Sequence, residues 1–174
     1  MLANTTILIN PLRRGNINSN VNDFVRSSGS ATILTSNIPV VAERPLYFGS
    51  PNSSPSGSGG SDVFGRNGGS VNWLFPEGNT SAGYTEFLLL QNPSSRSAPV
   101  TVRFIETDGQ IVDYGLTLPA KARATVDVLR DVPTLPPGTH GSLILSTDGV
   151  PIIAEQRIYS DNFAEGDGEA GIAQ

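Results

Sequence analysis

The sequence has no cysteine and only one histidine, one tryptophan and one methionine. Without cysteine, the chain has no disulfide, no thiolate metal site and no thiol nucleophile. A Ser-His-Asp relay or a multi-histidine metal site would depend on the single histidine, His140. No apolar run is long enough to span a bilayer, so we expect no direct membrane insertion. These deficits favour a protein that is not an enzyme.

Positive charge is also scarce. The formal net charge is −5 at pH 7, a poor match for the phosphates of a nucleic acid, so we expect no nucleic-acid partner. Glycine (19) and proline (13) are frequent, whereas no window repeats apolar residues with the 3.6-residue period of a helix. This combination predicts an all-β fold of short strands and many turns. The low lysine content and the Ser/Thr/Gly-rich composition favour a bacterial extracellular protein.

An internal repeat organises the chain. Residues 141–159 match residues 29–47, 112 positions earlier and without a gap, and Gly, Ser, Thr, Pro, Ala, Glu and Tyr recur at the same offsets. A repeat of this kind decides the architecture. Both copies are rich in Ile, Val, Leu and Thr around a short turn, which predicts two strands in each copy.

The second copy belongs to a complete unit that opens at Trp73. From Trp73 to Tyr159 the pattern predicts about seven strands in roughly 90 residues, which is typical of an antiparallel, immunoglobulin-like β-sandwich. Residues 87–90 are apolar on both faces and predict a central strand. Asp108 and Gly109 predict a hairpin turn in which both residues have positive φ.

The first copy is only half a unit, because it lacks a counterpart of about residues 73–118. We therefore predict an incomplete β-sandwich repeat at residues 1–48, a Gly/Ser/Pro-rich linker at 49–70, a complete module at 71–162 and an acidic flexible tail at 163–174. Half a sandwich exposes an apolar face and open strand edges. The missing strands can lie upstream in a longer chain, come from a neighbouring subunit, or be replaced by packing of the half unit on the complete module.

The apolar side of the half unit is the predicted interface. We expect it to contact a neighbouring module or a second copy of the chain. The residues of this set are Ile7, Ile9, Ile33, Val40, Val41, Leu46, Tyr47 and Phe48.

Four motifs resemble a known kind of bacterial module. They are W-L-F-P-E-G at 73–78, L-L-L-Q-N-P at 88–93, P-I-I-A-E at 151–155 and P-V-V-A-E-R-P-L-Y-F at 39–48. Together they resemble the tandemly repeated β-sandwich modules of bacterial secreted and cell-surface proteins, whose pattern is W-[YL]-F-[AP]-E-G, L-L-L-Q-N-P and V-V-x-E-R-P-M-Y-F. Residues 60–65 also resemble the stretch that joins one unit to the next. The resemblance implies an extracellular, non-catalytic role as a structural or adhesive repeat, for example in a filament, although Gln156 and Arg157 stand where the pattern has Arg-Pro.

Three aromatic residues define the alternative function. Trp73, Tyr84 and Tyr114 are candidates for a sugar-binding platform, which would make the chain a carbohydrate-binding surface module with glycans as partners. Aromatic side chains at strand positions more often pack in the core.

Acidic residues offer two further candidates. Glu77 with Glu86, or Glu106 and Asp108 with Asp113, are candidates for a glycosidase-like pair, although acids beside hairpins usually form turns. We expect no cofactor and no metal. The alternative is calcium bound by the acidic tail, through Asp161, Glu165, Asp167 and Glu169.

Three further residues are interpreted as structural. His140 is expected to be a loop histidine without a partner, because it follows a Pro/Gly-rich stretch. Glu43 and Glu155 occupy equivalent places in apolar strands, where pairing with Arg44 or Arg157 or with backbone amides is expected.

Overall fold

The computed structural model describes residues 14–15, 31–48, 59–160 and 165–174. The chain divides into two compact units, residues 1–32 and 33–174. The elements described here all lie in the second unit. They are β1 (Glu43–Phe48), β2 (Gly59–Phe64), β3 (Asn72–Asn79), β4 (Tyr84–Gln91), β5 (Ala98–Glu106), β6 (Ile111–Leu118), β7 (Arg123–Asp127), α1 (Val128–Asp131), β8 (Thr139–Ser146), β9 (Ile153–Ser160), β10 (Glu165–Ala170) and β11 (Ile172–Ala173).

Two antiparallel sheets form a sandwich. One has the strand order β10-β9-β4-β7 and the other β11-β3-β8-β5-β6, while β1 and β2 pair separately. The core between the sheets contains Leu88 and Leu90 of β4, Phe75 of β3 and Phe104 of β5. The prediction of an all-β antiparallel sandwich is confirmed. As expected, β4 is central, with β9 on one side and β7 on the other.

Side-chain alternation explains how the strands build this core. Along β5, Val100, Val102 and Phe104 are buried, while Thr101 and Arg103 between them point outward. Successive strand residues face opposite sides of a sheet, so an apolar-polar alternation buries one face.

The hairpin between β5 and β6 forms at the predicted place with a different turn. Gly109 has φ +87, but Asp108 is not in the positive-φ region, so the expectation that both residues have positive φ is wrong. Gly109 N donates to Glu106 O and Glu106 N donates to Gln110 O, both at 2.9 Å. The pattern fits a type I turn followed by a left-handed glycine, which needs positive φ at one position only.

Two predictions for the first half of the chain are wrong. Residues 31–40 do not form a strand, although their counterparts in the second copy belong to β8 and the turn after it. Residues 59–64, predicted as linker, form β2 and pair along β1. The two copies differ at these positions because only the second has strands beside it. β8 lies between β3 and β5, whereas no strand among the described residues pairs with residues 31–40.

The acidic tail is not loose where it is described. Glu165–Ala170 forms β10 beside β9, and the chain then crosses to the other sheet, where Ile172–Ala173 forms β11 beside β3. The prediction of a flexible tail is wrong for these residues, because backbone hydrogen bonds to two strands fix them.

One short helix follows β7. Val128–Asp131 forms α1 directly after Asp127, the last residue of that strand. Asp127 caps this helix, because its Oδ1 accepts a hydrogen bond from Arg130 N at 3.3 Å. Across the described ranges, no helix has the length and apolar character needed to cross a membrane.

Candidate interface between two equivalent hairpins

The repeat found in the sequence extends to a whole hairpin in the structure. The first hairpin is β1–β2 and the second is β9–β10. In the first, Tyr47 lies opposite Gly60; in the second, Tyr159 lies opposite Gly166. Because Tyr47 and Tyr159 are equivalent in the repeat, both hairpins have the same register.

A backbone hydrogen bond at the end of each hairpin is also repeated. Gly65 N donates to Ala42 O at 2.8 Å, and Gly171 N donates to Ala154 O at 3.4 Å. Ala42 and Ala154 are 112 positions apart, like the rest of the repeat. The two hairpins are therefore the same structural element, used twice.

Side chains of β9 cover the glycines of β10. A Cβ at Gly166 would lie 2.5 Å from Tyr159 Cδ1, and a Cβ at Gly168 would lie 2.6 Å from Arg157 Cδ. Glycine weakens a strand, and in a strand it often marks a close approach of another group. Here the approaching groups are cross-strand neighbours, which explains how a Gly-rich acidic segment forms a strand.

An ion-pair cluster joins the first hairpin to the second. Glu155 Oε1 accepts hydrogen bonds from Arg44 Nη2 (2.5 Å) and from Arg157 Nε (2.7 Å), and Arg157 Nη1 donates to Ser61 Oγ at 2.7 Å. The expected pairing of Glu155 with Arg44 or Arg157 is confirmed, and both arginines take part. Burial lowers the pKa of the nearby Arg123; the charge of Arg44 lowers it further, whereas Glu155 raises it.

The contact joins unlike faces of the two hairpins. Gln156 points into the sandwich, where its Nε2 donates to Glu86 Oε1 at 2.9 Å, so its neighbour Glu155 lies on the outer face. Arg44 occupies the place in β1 that Gln156 occupies in β9. In the second hairpin, the face that carries Gln156 points into the core. The equivalent face of the first hairpin carries Arg44, and it contacts the outer face of the second hairpin at Glu155. The first hairpin thus packs on the second hairpin of the same chain.

Arg66 adds a second link between the hairpins. Its Nη2 donates to Ala170 O (2.8 Å) and Gly171 O (2.9 Å), and its Cζ lies 5.9 Å from the centre of the Trp73 ring. A cleft of about 300 Å³ lies here, lined by residues 62–66 and 168–170. The segment after β2 is thus held at the end of β10.

The predicted interface residues are only partly described. Ile33, Val40 and Val41 are 60%, 41% and 88% exposed. Leu46, Tyr47 and Phe48 lie in β1, but their side chains are outside what the structure describes, and Ile7 and Ile9 are outside the described residues altogether.

The predicted sugar platform does not form. Trp73 is buried in the core, and its Nε1 donates to Ile152 O at 2.9 Å, so the prediction is wrong for this residue. Tyr114 is half-buried against the core, while Tyr84 is exposed at the start of β4 in the other sheet.

A buried acid-histidine pair lies at one end of the sandwich. His140 is in β8 rather than in a loop, and its Nε2 lies 3.0 Å from Glu86 Oε2. This is an ion-pair distance, although neither ring nitrogen makes an aligned hydrogen bond within the part of the chain that is described. The expectation of a loop histidine without a partner is wrong.

Three neighbours of this pair belong to the sheet that contains His140. Glu86 Oε2 accepts a hydrogen bond from Asn79 N at 2.9 Å, and the His140 and Phe104 rings form a T-shaped contact with their centroids 5.2 Å apart. Gly78 leaves room for the pair, because a Cβ there would lie 2.5 Å from His140 Nε2. Both side chains are buried, so a substrate would reach them only if the sandwich opened.

The remaining candidate acids differ in their partners and in their burial. Asp113 accepts two hydrogen bonds from Arg103 (2.8 and 2.9 Å), which hold the pKa of Asp113 below its ordinary value, and Asp108 accepts from Gln110 N within its turn. Glu77 is exposed, whereas Glu86 is buried.

The calcium candidate spans β10. Glu165, Asp167 and Glu169 alternate with glycines along the strand, and Asp161 lies outside the described residues. Within residues 31–48, 59–160 and 165–174, no group of three or more acidic or histidine side chains is arranged to hold a metal ion.

Solved structures support the fold. The chain is similar to the crystal structure of Thermotoga maritima 1070, with a TM-score of 0.55 and 16% identity over 63% of this chain and 97% of that one. It is also similar to the Anabaena sensory rhodopsin transducer, with a TM-score of 0.44 and 24% identity over 51% of this chain and 87% of that one. The likeness to Thermotoga maritima 1070 shows the fold alone. No family model and no curated protein sequence matches the chain.

Proposed function

We propose that the chain is a non-catalytic structural or adhesive repeat protein of a bacterial secreted or cell-surface assembly, such as a filament. Its units associate through β-hairpins and apolar faces. The observation that carries this proposal is the packing of two equivalent hairpins against each other, joined by Arg44 and Glu155.

The asymmetry of that contact supports an open array. Arg44 of the first hairpin meets Glu155 of the second, so the contact joins two different surfaces of the same element. Contacts of this head-to-tail kind generate rings when the rotation closes and filaments when it does not.

An exposed apolar stretch gives the neighbouring unit a surface to contact. Residues 33–41 carry five large apolar side chains that are exposed: Ile33, Leu34, Ile38, Val40 and Val41. Contiguous exposed apolar groups mark interaction sites in soluble proteins. A neighbouring half unit with complementary strands would bury them.

The test compares two exposed apolar residues in the full chain. Val41 lies in the apolar stretch, while Ile111 lies at the start of β6 and is also exposed. We expect wild-type protein to assemble as its concentration rises, and Val41→Asp to weaken association about tenfold or more, whereas Ile111→Asp leaves it unchanged. Sedimentation velocity and electron microscopy measure this. Dispersed monomers at every concentration, or equal effects of both variants, would contradict the proposal.

The carbohydrate-binding alternative has less support. Its central residue, Trp73, is buried and bonded to backbone, so its ring face is not presented to a ligand. We therefore retain assembly as the proposed role.

A further inference from the structure

We propose that the outer edge of β9 is a strand-acceptor site whose occupant is the opening strand of the following unit, and that β10 is such a strand. Neighbouring units are then joined by a shared strand. The inference rests on the proposed function, because it assumes that like units follow one another.

The position of β2 identifies β10. β2 immediately precedes the complete unit, which opens at Trp73, yet it pairs with β1 of the preceding half unit and not with β9 of its own. β10 pairs with β9 in the register in which β2 pairs with β1. The hydrogen bond from Gly171 N to Ala154 O corresponds to the one from Gly65 N to Ala42 O. β2 precedes one unit in the chain but pairs with the last strand of the unit before it. By equivalence, β10 pairs with β9 of this unit and belongs to the start of the next unit.

The chain after the two strands supports the same assignment. After β10 it crosses to the second sheet, where Ile172 lies opposite Leu74 of β3. Arg66 and Asn67, which hold the equivalent places after β2, belong to no strand in the described part of the chain. Ile172 and Ala173 pair with β3, but the strand equivalent to β3 belongs to the missing half of the first unit. Arg66 and Asn67 therefore have no strand to pair with.

The acceptor edge has a specific requirement. β9 already pairs with β4 on its other side, so β10 occupies its outer edge and covers backbone groups that would otherwise be open. The Tyr159 ring lies across Gly166, and only a glycine leaves room for it. β2 meets the requirement at this position, because Gly60 lies opposite Tyr47. Asp62 stands where β10 has Gly168, so the long, flexible Arg157 side chain would have to move aside. We therefore expect β2 to fit the edge of β9 as well.

The experiment displaces β10 in the full chain and supplies strands as peptides. Gly166→Val places a branched side chain against Tyr159, while the matched control Asp167→Val introduces the same residue at the next, exposed position of β10. Amide hydrogen exchange of β9 is the readout. We expect Gly166→Val to speed this exchange on the order of tenfold, with little change in the control.

Peptides of residues 165–174 and 59–68 are then added to the Gly166→Val protein. Both should restore protection of β9, the first at lower concentration, and a 59–68 peptide carrying Gly60→Val should not. Unchanged exchange in Gly166→Val, failure of 165–174, or failure of 59–68 where 165–174 succeeds would each overturn the inference. Assembly is measured separately by sedimentation. If the protein stays monomeric while the peptides restore protection of β9, the proposed function is contradicted and the strand-acceptor site is supported.

Discussion

The two copies of the repeat carry similar residues in opposite environments. Ile152 is 0% exposed, whereas its counterpart Val40 is 41% exposed; Val150 is 2% exposed, whereas Ile38 is 53% exposed. In the second copy the strands lie against a second sheet, and in the first copy no described strand covers these positions. The same apolar pattern therefore becomes core or surface according to which strands are beside it.

The first hairpin adds to this comparison. β1 is the one part of residues 31–48 that forms a strand, and it is the part that pairs with β2. A strand needs partners for its backbone groups, so local sequence preference decides less than the presence of a neighbour.

The largest expected effect contrasts Ile152 with Val40. Ile152→Ala leaves a cavity in the core and should lower the free energy of unfolding by about 2–5 kcal/mol. Val40→Ala, at the equivalent place, should change it by about 0.5 kcal/mol or less, because the side chain is exposed. Urea unfolding of both variants measures the difference. Equal losses would mean that the first copy is as well packed as the second.

A smaller effect is expected at the contact between the hairpins. A double-mutant cycle with Arg44→Ala and Glu155→Ala should give a coupling energy of about 0.2–1 kcal/mol, because the pair is partly exposed to solvent. Exchange of the β1–β2 amides reports opening of the first hairpin. Arg96→Ala, which removes another exposed arginine, is the control. A coupling energy of zero would show that the ion pair does not hold the hairpins together.

The smallest effect is expected where β10 differs from β2. Burial raises the pKa of Glu169, and the charges of Asp167 and Glu77 raise it further; β2 has Val63 at this place. A raised pKa means that the folded state favours the protonated acid. The resulting stability is fully present below the ordinary pKa of glutamate and is lost as pH rises through the folded value.

Glu169→Gln removes this titration. The variant should match wild type in acid and have a slightly higher Tm at neutral pH, while Glu165→Gln, on the same strand, should behave like wild type. Thermal unfolding across pH measures both. A lower Tm for Glu169→Gln than for wild type at neutral pH would contradict the raised pKa of Glu169.

The parts of the fold that depend on local pattern could be predicted from the sequence. The apolar residues 87–90 predicted the central strand β4, and Asp108 and Gly109 predicted the place of the turn after β5. β10 was missed because Gly and Asp have low strand propensity, and its stability comes from the side chains of Tyr159 and Arg157 that lie over its glycines.

The buried pair of Glu86 and His140 was also missed, for a different reason. The two residues lie on different sheets and far apart in sequence, so nothing local links them. One signal was available: Glu86 occupies an inward position of β4, two residues before Leu88, where an acid needs a partner. Glu155 was easier to interpret, because its partner Arg157 is two residues away on the same face of β9.

Trp73 gives the protein a built-in optical probe of its strand crossover. It is the single tryptophan, and a Cβ at Gly171, between β10 and β11, would lie 3.1 Å from its ring. Emission excited at wavelengths that tyrosine does not absorb therefore comes from one buried indole beneath this crossover. Detachment of β10 and β11 would expose the Trp73 ring to water and shift its emission to longer wavelength. Tryptophan fluorescence therefore reports detachment of these two strands without an attached dye.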